Sequence, residues 1–452
     1  MLVAGIAALG MVFSNEIVEL YAPAFHKVPG KFELTVQMTQ LMFPFFPLVA
    51  LAAAFMAVLN ACGSFFIPGF SSALFNVASV GVGAALAWIL PSYGIQSIVG
   101  MAIGVVVGGA VQAFSQWPEL RKQGYRFPAR DRKDAPPLRE PALRAMLLMM
   151  IPGTIGLAAT QINILVNSML ATSQGPGAVS WLNYAFRLMQ FPIGVFGVSL
   201  AAATLPRVSE LWVKGDRPAV ANQVNTSLRQ VLAINLPASA GLAVLGPSII
   251  QMLFEYGNFG PWDTRATAQA LAAYSLGLAA YSAVKVLVPV CYAIGNTRIP
   301  VIGSLLSVAL TIALNVGMVG SLGFAGLALG TSIAAVFNAV YLWFSVRAEL
   351  RRRATELVGA PVLSALIGYG ALSIVMAGVV WAADYALRGW IPEATLSDWG
   401  IGAAVPGFRV FRTLFLVALG GGVALVTARA MGLAELQAVS SSLSRRLGMR
   451  QG

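Results

Sequence analysis

The sequence predicts an all-α, polytopic membrane protein of about twelve transmembrane helices, arranged as two pseudo-symmetric lobes followed by a C-terminal helix pair. Composition comes first: 58% of the residues are hydrophobic, 10% are charged and mean hydropathy is +0.78, whereas soluble domains carry about 25% charge. Second, apolar stretches long enough to cross a bilayer, about 20 residues each, recur along the whole chain. Lipid offers backbone groups no partner, so such stretches must be helices, and the absence of alternating strand patterns excludes a barrel. Third, an Ala-x-Gly-x-x-x-Ile-Pro pattern occurs twice, at Ala61/Gly63/Ile67/Pro68 and 232 positions later at Ala293/Gly295/Ile299/Pro300. Internal repeats of this kind mark secondary transporters.

The spans are read at 2–22, 38–60, 70–91, 95–116, 143–171, 177–203, 229–254, 266–294, 299–320, 325–346, 360–383 and 409–431. Residues 1–117 form an N-lobe of four helices, and 118–142, rich in proline and charge, a cytoplasmic linker. Residues 143–347 form a C-lobe of six helices, 348–431 the C-terminal pair, and 432–452 a cytoplasmic tail. Shifting the 143–171 and 177–203 spans back by the repeat offset puts their partners before Met1. No basic flank precedes the first span, so two further helices are expected ahead of the sequence as given.

Of the 29 basic residues, 21 fall in alternate connections, with eight between Arg121 and Arg144. By the positive-inside rule this predicts cytoplasmic termini. Six others, Lys27, Lys31, Arg265, Arg388, Arg409 and Arg412, fall on the opposite side. The net charge of +12 is therefore a topology signal, with no nucleic acid as partner and anionic lipid headgroups as the expected contact. Cys62 and Cys291 have no CxxC spacing and His26 is the sole histidine, so neither a disulfide framework nor a metal site is supported.

That leaves Arg187 and Lys285 inside spans. An arginine at mid-membrane costs at least about 2.5 kcal/mol on insertion scales, and intramembrane charges mark function by default. Asn183, Arg187, Gln190 and Gly194 share one helical face. Such a face is expected to line an aqueous cavity, where a guanidinium binds phosphate oxygens through its fork. Lys285 is read on a face with Ser275, Ser282 and Pro289, the proline kinking the span. The structural alternative is that a long lysine reaches the interface by snorkelling. Thr160, Asn163 and Asn167 make a third polar stripe, and Asn315 a further intramembrane amide. Each suits a cation or a polar cavity, but each taken singly is read first as helix–helix hydrogen bonding. Gly104, Gly108 and Gly109 suit close helix packing. No P-loop, nucleophile elbow or HExxH is present, so no covalent chemistry is expected and the protein is not read as an enzyme.

Tyr184-Ala-Phe-Arg-Leu-Met-Gln-Phe-Pro192, with Gly194-Val-Phe-Gly-Val-Ser-Leu200 and Leu205-Pro206, resembles the signature of the MurJ/MviN lipid II flippases of the MOP exporter superfamily. Phe254-Glu-Tyr-Gly-Asn-Phe259, Tyr274-Ser-Leu-Gly277, Lys285-Val-Leu-Val-Pro289 and Asn296-Thr-Arg-Ile-Pro300 extend the match. The resemblance implies an inner-membrane protein that moves undecaprenyl-pyrophosphate-linked peptidoglycan precursor to the periplasmic leaflet by alternating access. It implies two six-helix lobes around a cationic cavity, with the last two helices forming a groove for the lipid tail. Substrate contacts are then expected at Arg187, Asn183, Gln190, Lys285 and Ser282. The implied partners are the polyprenyl-pyrophosphate substrate, membrane lipids and cell-wall synthesis proteins. No resident cofactor is implied, and transport would couple to an ion gradient or the membrane potential. Some members carry an acidic cation ligand where Asn167 stands. The competing readings are export of another polyprenyl-linked glycan and a non-transporting membrane scaffold.

Overall fold

The computed structural model describes residues 2–125, 154, 158, 161–352, 361–390, 405–433 and 435. Much of the expected linker, the start of the 143–171 span, Thr160, most of the 384–408 connection and nearly all of the tail lie outside them. Contacts divide the chain into two units, residues 1–146 and 147–452, and the C-terminal pair belongs to the second.

The described part of the first unit is built from α1 (Leu2–Val12), α2 (Ser14–Tyr21), α3 (Lys31–Met42), α4 (Phe45–Ala61), α5 (Phe66–Ile89), α6 (Ser97–Ser115) and α7 (Trp117–Lys122). The expected 2–22 span is broken, because α1 and α2 meet at 75°. The small-residue surface of α6 does what its spacing suggests. A Cβ on Gly104 would stand 2.4 Å from the Ser79 carbonyl oxygen of α5, and one on Gly108 would stand 2.9 Å from that of Phe75. Gly109 faces α4 instead, against Phe45.

In the second unit a helix over 161–172, here α8, is followed by α9 (Ala178–Pro192), a π-helical turn (Ile193–Gly197), α10 (Val198–Val213) and α11 (Arg217–Phe254). Then come α12 (Pro261–Ser275), α13 (Leu278–Ala293), α14 (Arg298–Arg352), α15 (Pro361–Trp390) and α16 (Val405–Ala430). Eight helices among the described residues are long and apolar enough to cross a membrane, and ten counting each bent pair as one span.

The two expected spans at 299–320 and 325–346 form a single stretch, α14, interrupted only at Gly323 (φ 58°, ψ −143°). It is a hairpin. Gly326 approaches the Met318 carbonyl, Gly330 approaches Asn315, and the Ser307 hydroxyl donates to the Ala334 carbonyl at 3.1 Å. The span read at 266–294 also departs from expectation. Its bend of 45° falls between α12 and α13, at Leu276–Gly277, while α13 runs through Pro289. Gly277 is a point of close approach by α14, since a Cβ there would stand 2.9 Å from the Ser332 Cα.

The sequence repeat has a structural meaning. After α4, the Gly63 N–H donates to the Asn60 carbonyl and the Ser64 N–H to that of Leu59. After α13, Gly295 donates to Tyr292 and Asn296 to Cys291. Gly63 (φ 80°) and Gly295 (φ 78°) take the left-handed conformation that closes a helix in this way. Each proline of the pattern then opens the next helix.

The C-terminal pair is fastened to α11 at both ends. At one end Arg412, 3% exposed, donates to Gln251 at 3.1 Å and lies 3.7 Å from Asp384, which also takes the Arg388 Nε at 2.8 Å. Arg409 pairs with Glu255 at 3.2 Å. At the other end a turn at Gly432–Leu433 brings Glu435 within 2.6 Å of Arg229, with the Tyr369 hydroxyl donating to the same carboxylate. Burial works to raise the pKa of Glu435, but the hydrogen bonds from Tyr369 and the backbone and the charge of Arg229 outweigh it and hold the carboxyl below its usual range.

Two predictions follow from these contacts. Gly323→Ala should cost about 1–3 kcal/mol, the price of placing a side chain in that backbone region, read as a lower thermal midpoint in detergent. Because the folded pKa of Glu435 is depressed, its contribution is complete above the unfolded value of about 4.3 and is lost as pH falls through the folded value. Amide exchange in the last turn of α16, measured relative to α11, should therefore quicken at acid pH in the native chain and be quick at every pH in Glu435→Gln.

Candidate functional site

The face of α9 that bears Arg187 is defined by what the opposite face does. Leu182, Ala185 and Met189 are buried against α12 residues including Leu271 and Tyr274. Trp181 donates its indole N–H to Asp263 Oδ1 at 2.7 Å, and the other oxygen of Asp263 accepts from the Gly260 N–H that opens α12. Tyr184 packs at a tilt on Phe254 and edge-on against Phe259, ring centroids 4.7 and 5.7 Å away, and Phe186 meets Tyr274 edge-on at 5.5 Å. Three separate motifs of the sequence thus converge on one aromatic cluster, and its effect is to fix the rotation of α9.

With that rotation fixed, Asn183, Arg187, Gln190 and Gly194 are all exposed from the protein. Asn183 returns its amide to the Val179 carbonyl at 2.8 Å. No described side chain forms a hydrogen bond or ion pair with Arg187. The guanidinium is therefore not tied to a neighbouring helix. The π-helical turn follows directly after Pro192 and widens the helix one turn beyond this face, a distortion common at functional sites.

Lys285 is exposed on α13, but the grouping expected around it is not formed. Ser282 is fully buried and its hydroxyl donates to Asn235 Oδ1 at 2.9 Å, and Ser275 is fully buried on α12, donating to the Leu271 carbonyl. Ser282 is thus a correction: it joins α13 to α11 and does not share the open surface with Lys285. The physical reason is the close approach of Gly197, whose Cβ position lies 3.1 Å from the Ser282 hydroxyl. That contact seats the Arg187 span against α13 three residues before Lys285. Asn235 went unnoticed in the sequence, where a single amide in a long apolar helix gives no sign of its partner.

The structure does bring the intramembrane asparagines together. Asn315 of α14 donates to Asn167 Oδ1, and Asn167 donates to Asn163 Oδ1 at 3.4 Å. Asn315 is fully buried and its own side-chain oxygen has no hydrogen-bond donor. It lies over Gly330, where a Cβ would stand 2.1 Å from it. Among the described residues no cluster of His, Cys, Asp and Glu has the makings of a metal site.

A family model described as lipid II flippase MurJ matches residues 1–396. A probable lipid II flippase MurJ of Vibrio cholerae is 32% identical over 377 residues, covering 82% of this chain and 67% of that protein. The lipid II flippase MurJ of Burkholderia cenocepacia is 31% identical, covering 76% of this chain and 65% of the relative. A Rhizobium meliloti relative, also named a probable lipid II flippase MurJ, is 30% identical over 94% of this chain and 76% of its own length. The chain thus spans about two thirds to three quarters of the length of these relatives. Among solved structures, a lipid II flippase MurJ in an inward closed conformation superposes with a TM-score of 0.73 at 23% identity, covering 99% of this chain and 82% of that one. An inward-facing multidrug MATE transporter of the MOP superfamily gives 0.64 at 16% identity, covering 78% and 80%. The fold is shared with both.

Since Arg187 carries no structural bond, Arg187→Ala should leave stability within about 0.5 kcal/mol of the native chain. Trp181→Phe, which removes a hydrogen bond to a carboxylate, should cost about 1–3 kcal/mol. Thermal unfolding in the same detergent compares the two.

Proposed function

The chain belongs to the lipid II flippase MurJ family, and from that premise we propose that it moves undecaprenyl-pyrophosphate-linked peptidoglycan precursor from the cytoplasmic to the periplasmic leaflet of the inner membrane. The observation that carries this reading is Arg187, an intramembrane guanidinium held on the exposed face of α9 with no described carboxylate to neutralise it. Moving a pyrophosphate through hydrocarbon is opposed by its desolvation. A site that replaces water with guanidinium hydrogen bonds offsets that cost, and a planar fork matches two phosphate oxygens at once.

In this proposal Arg187 binds the pyrophosphate, Asn183 and Gln190 contribute hydrogen bonds from the same face, and Lys285 on the adjoining helix adds a second positive charge. The lobes alternate access to an aqueous chamber that the α9 face lines. The polyprenyl tail stays in lipid beside the C-terminal pair. An ion gradient or the membrane potential drives the cycle, both termini are cytoplasmic, and cell-wall synthesis proteins receive the product. No bond is made or broken in the substrate, so the protein acts as a transporter and not as an enzyme. The asparagine chain of Asn163, Asn167 and Asn315 sets the distance between α8 and α14 during that cycle.

Arg187→Ala should abolish rescue of a flippase-depleted strain while the protein still reaches the membrane. Arg187→Lys should lose at least about tenfold in flipping, since an ammonium cannot reproduce the bidentate fork. Full rescue by Arg187→Ala would remove the basis of the proposal and favour a scaffold, and near-normal flipping by Arg187→Lys would show that a point charge suffices.

A further inference from the structure

An apolar crevice of about 270 Å³ opens on the second unit. Its floor is Leu232 and Leu236 of α11 with Ala283 and Leu287 of α13, and its walls are Val340 and Trp343 of α14 and Leu363 of α15. Val340 and Leu363, 45% and 55% exposed, face outward from the protein, so in a bilayer the mouth of the crevice meets hydrocarbon. No side chain lining it is charged or hydrogen-bonding apart from the indole of Trp343.

Beyond the Trp343 end of the lining, α14 turns basic. Val336, Val340, Trp343, Arg347 and Arg351 follow at spacings of four, three, four and four on α14, so they form one stripe along the helix. Arg347 lies over the Trp343 ring, 5.7 Å from its centroid. Neither Arg347 nor Arg351 forms an ion pair with a described residue. A hydrophobic slot that ends in an aromatic, with two guanidiniums one and two turns beyond it that pair with no described residue, matches the two parts of a single molecule: an acyl chain and an anionic headgroup.

The crevice is separate from the face that carries Arg187. No residue of α9 or α10 lines it. Lys285 is two positions from both Ala283 and Leu287, about 200° around α13, and so points to the opposite side. We propose that this crevice is a binding site for a resident anionic phospholipid of the bilayer, its chain in the slot and its headgroup held by Arg347 and Arg351. The site does not depend on the transport reading.

The test uses the full chain in phosphatidylcholine vesicles that contain phosphatidylglycerol with a photoactivatable acyl chain, and maps the label by mass spectrometry. Label is expected on the peptides that hold Val340 and Leu363. It should fall at least about fivefold in Arg347→Gln/Arg351→Gln, from the surface attraction of each lost charge, and by a similar factor when the photoactivatable lipid is phosphatidylcholine. Ala339→Phe, which fills the crevice from α14, should remove label from both probes, and the charge variants keep the test decisive if Ala339→Phe fails to fold. Label indifferent to headgroup and to both arginines would overturn the proposal, as ordinary bilayer contact. Displacement of the label by an equal mole fraction of undecaprenyl phosphate would also overturn it, by giving the crevice to a polyprenyl chain. Flipping measured in the same vesicles should persist in Arg347→Gln/Arg351→Gln, so a failure here is distinguishable from a failure at Arg187.

Discussion

Hydrocarbon contains nothing that can hydrogen-bond, so each polar group within a span must find its partner in the protein or face water. The second unit obeys this rule at most of its buried polar side chains, Thr267 Oγ1 and the side-chain oxygens of Asn315 and Asn338 being exceptions. The hydroxyls of Thr311, Thr331 and Ser373 return to carbonyls one turn back on their own helices, and Ser332 reaches across to carbonyls of α12. Ser282 is matched with Asn235, and the asparagines of α8 and α14 with one another. Against that background Arg187 and Lys285 stand out because their charges are not absorbed. A chain that provides partners for most of its buried hydroxyls leaves these two exposed cations without one among the described residues, and the proposed function starts from that contrast.

Holding such a charge in place requires the rest of the helix to be immovable. Arg187 itself contributes nothing to that. The work is done by Trp181 on Asp263, by Tyr184 between Phe254 and Phe259, and by Met189 in the core behind them. This explains why the recognisable motifs of the chain carry Tyr184, Phe186, Phe254, Phe259 and Tyr274, none of which lies on the exposed face.

What was legible in the sequence was whatever repeats at short range. Apolar length gave the helices, the four-three-four spacing gave the shared face of Asn183, Arg187, Gln190 and Gly194, and the paired Ala-x-Gly-x-x-x-Ile-Pro pattern gave two matching helix ends. What was not legible depends on partners far apart along the chain. Trp181 and Asp263 are separated by 82 positions, and Asn167 and Asn315 by 148. No periodicity announces such pairs. The bend was misplaced for a related reason: Pro289 carries a local signal, whereas the bend at Gly277 is set by how closely α14 approaches. Ser282 precedes Lys285 by three residues, about 60° short of a full helical turn, and that offset was enough to turn it inward.

The two polar fastenings of the C-terminal pair, Arg412 with Asp384 and Gln251 at one end and Glu435 with Arg229 at the other, have a mechanical corollary. A helix pinned to its neighbour at a single point can swivel, but one pinned at both extremities cannot. α15 and α16 must then travel with α11 as cargo on a common frame. The side of the slot formed by α11 and α15 then keeps its spacing, and any hydrocarbon chain lodged against it rides along with that frame.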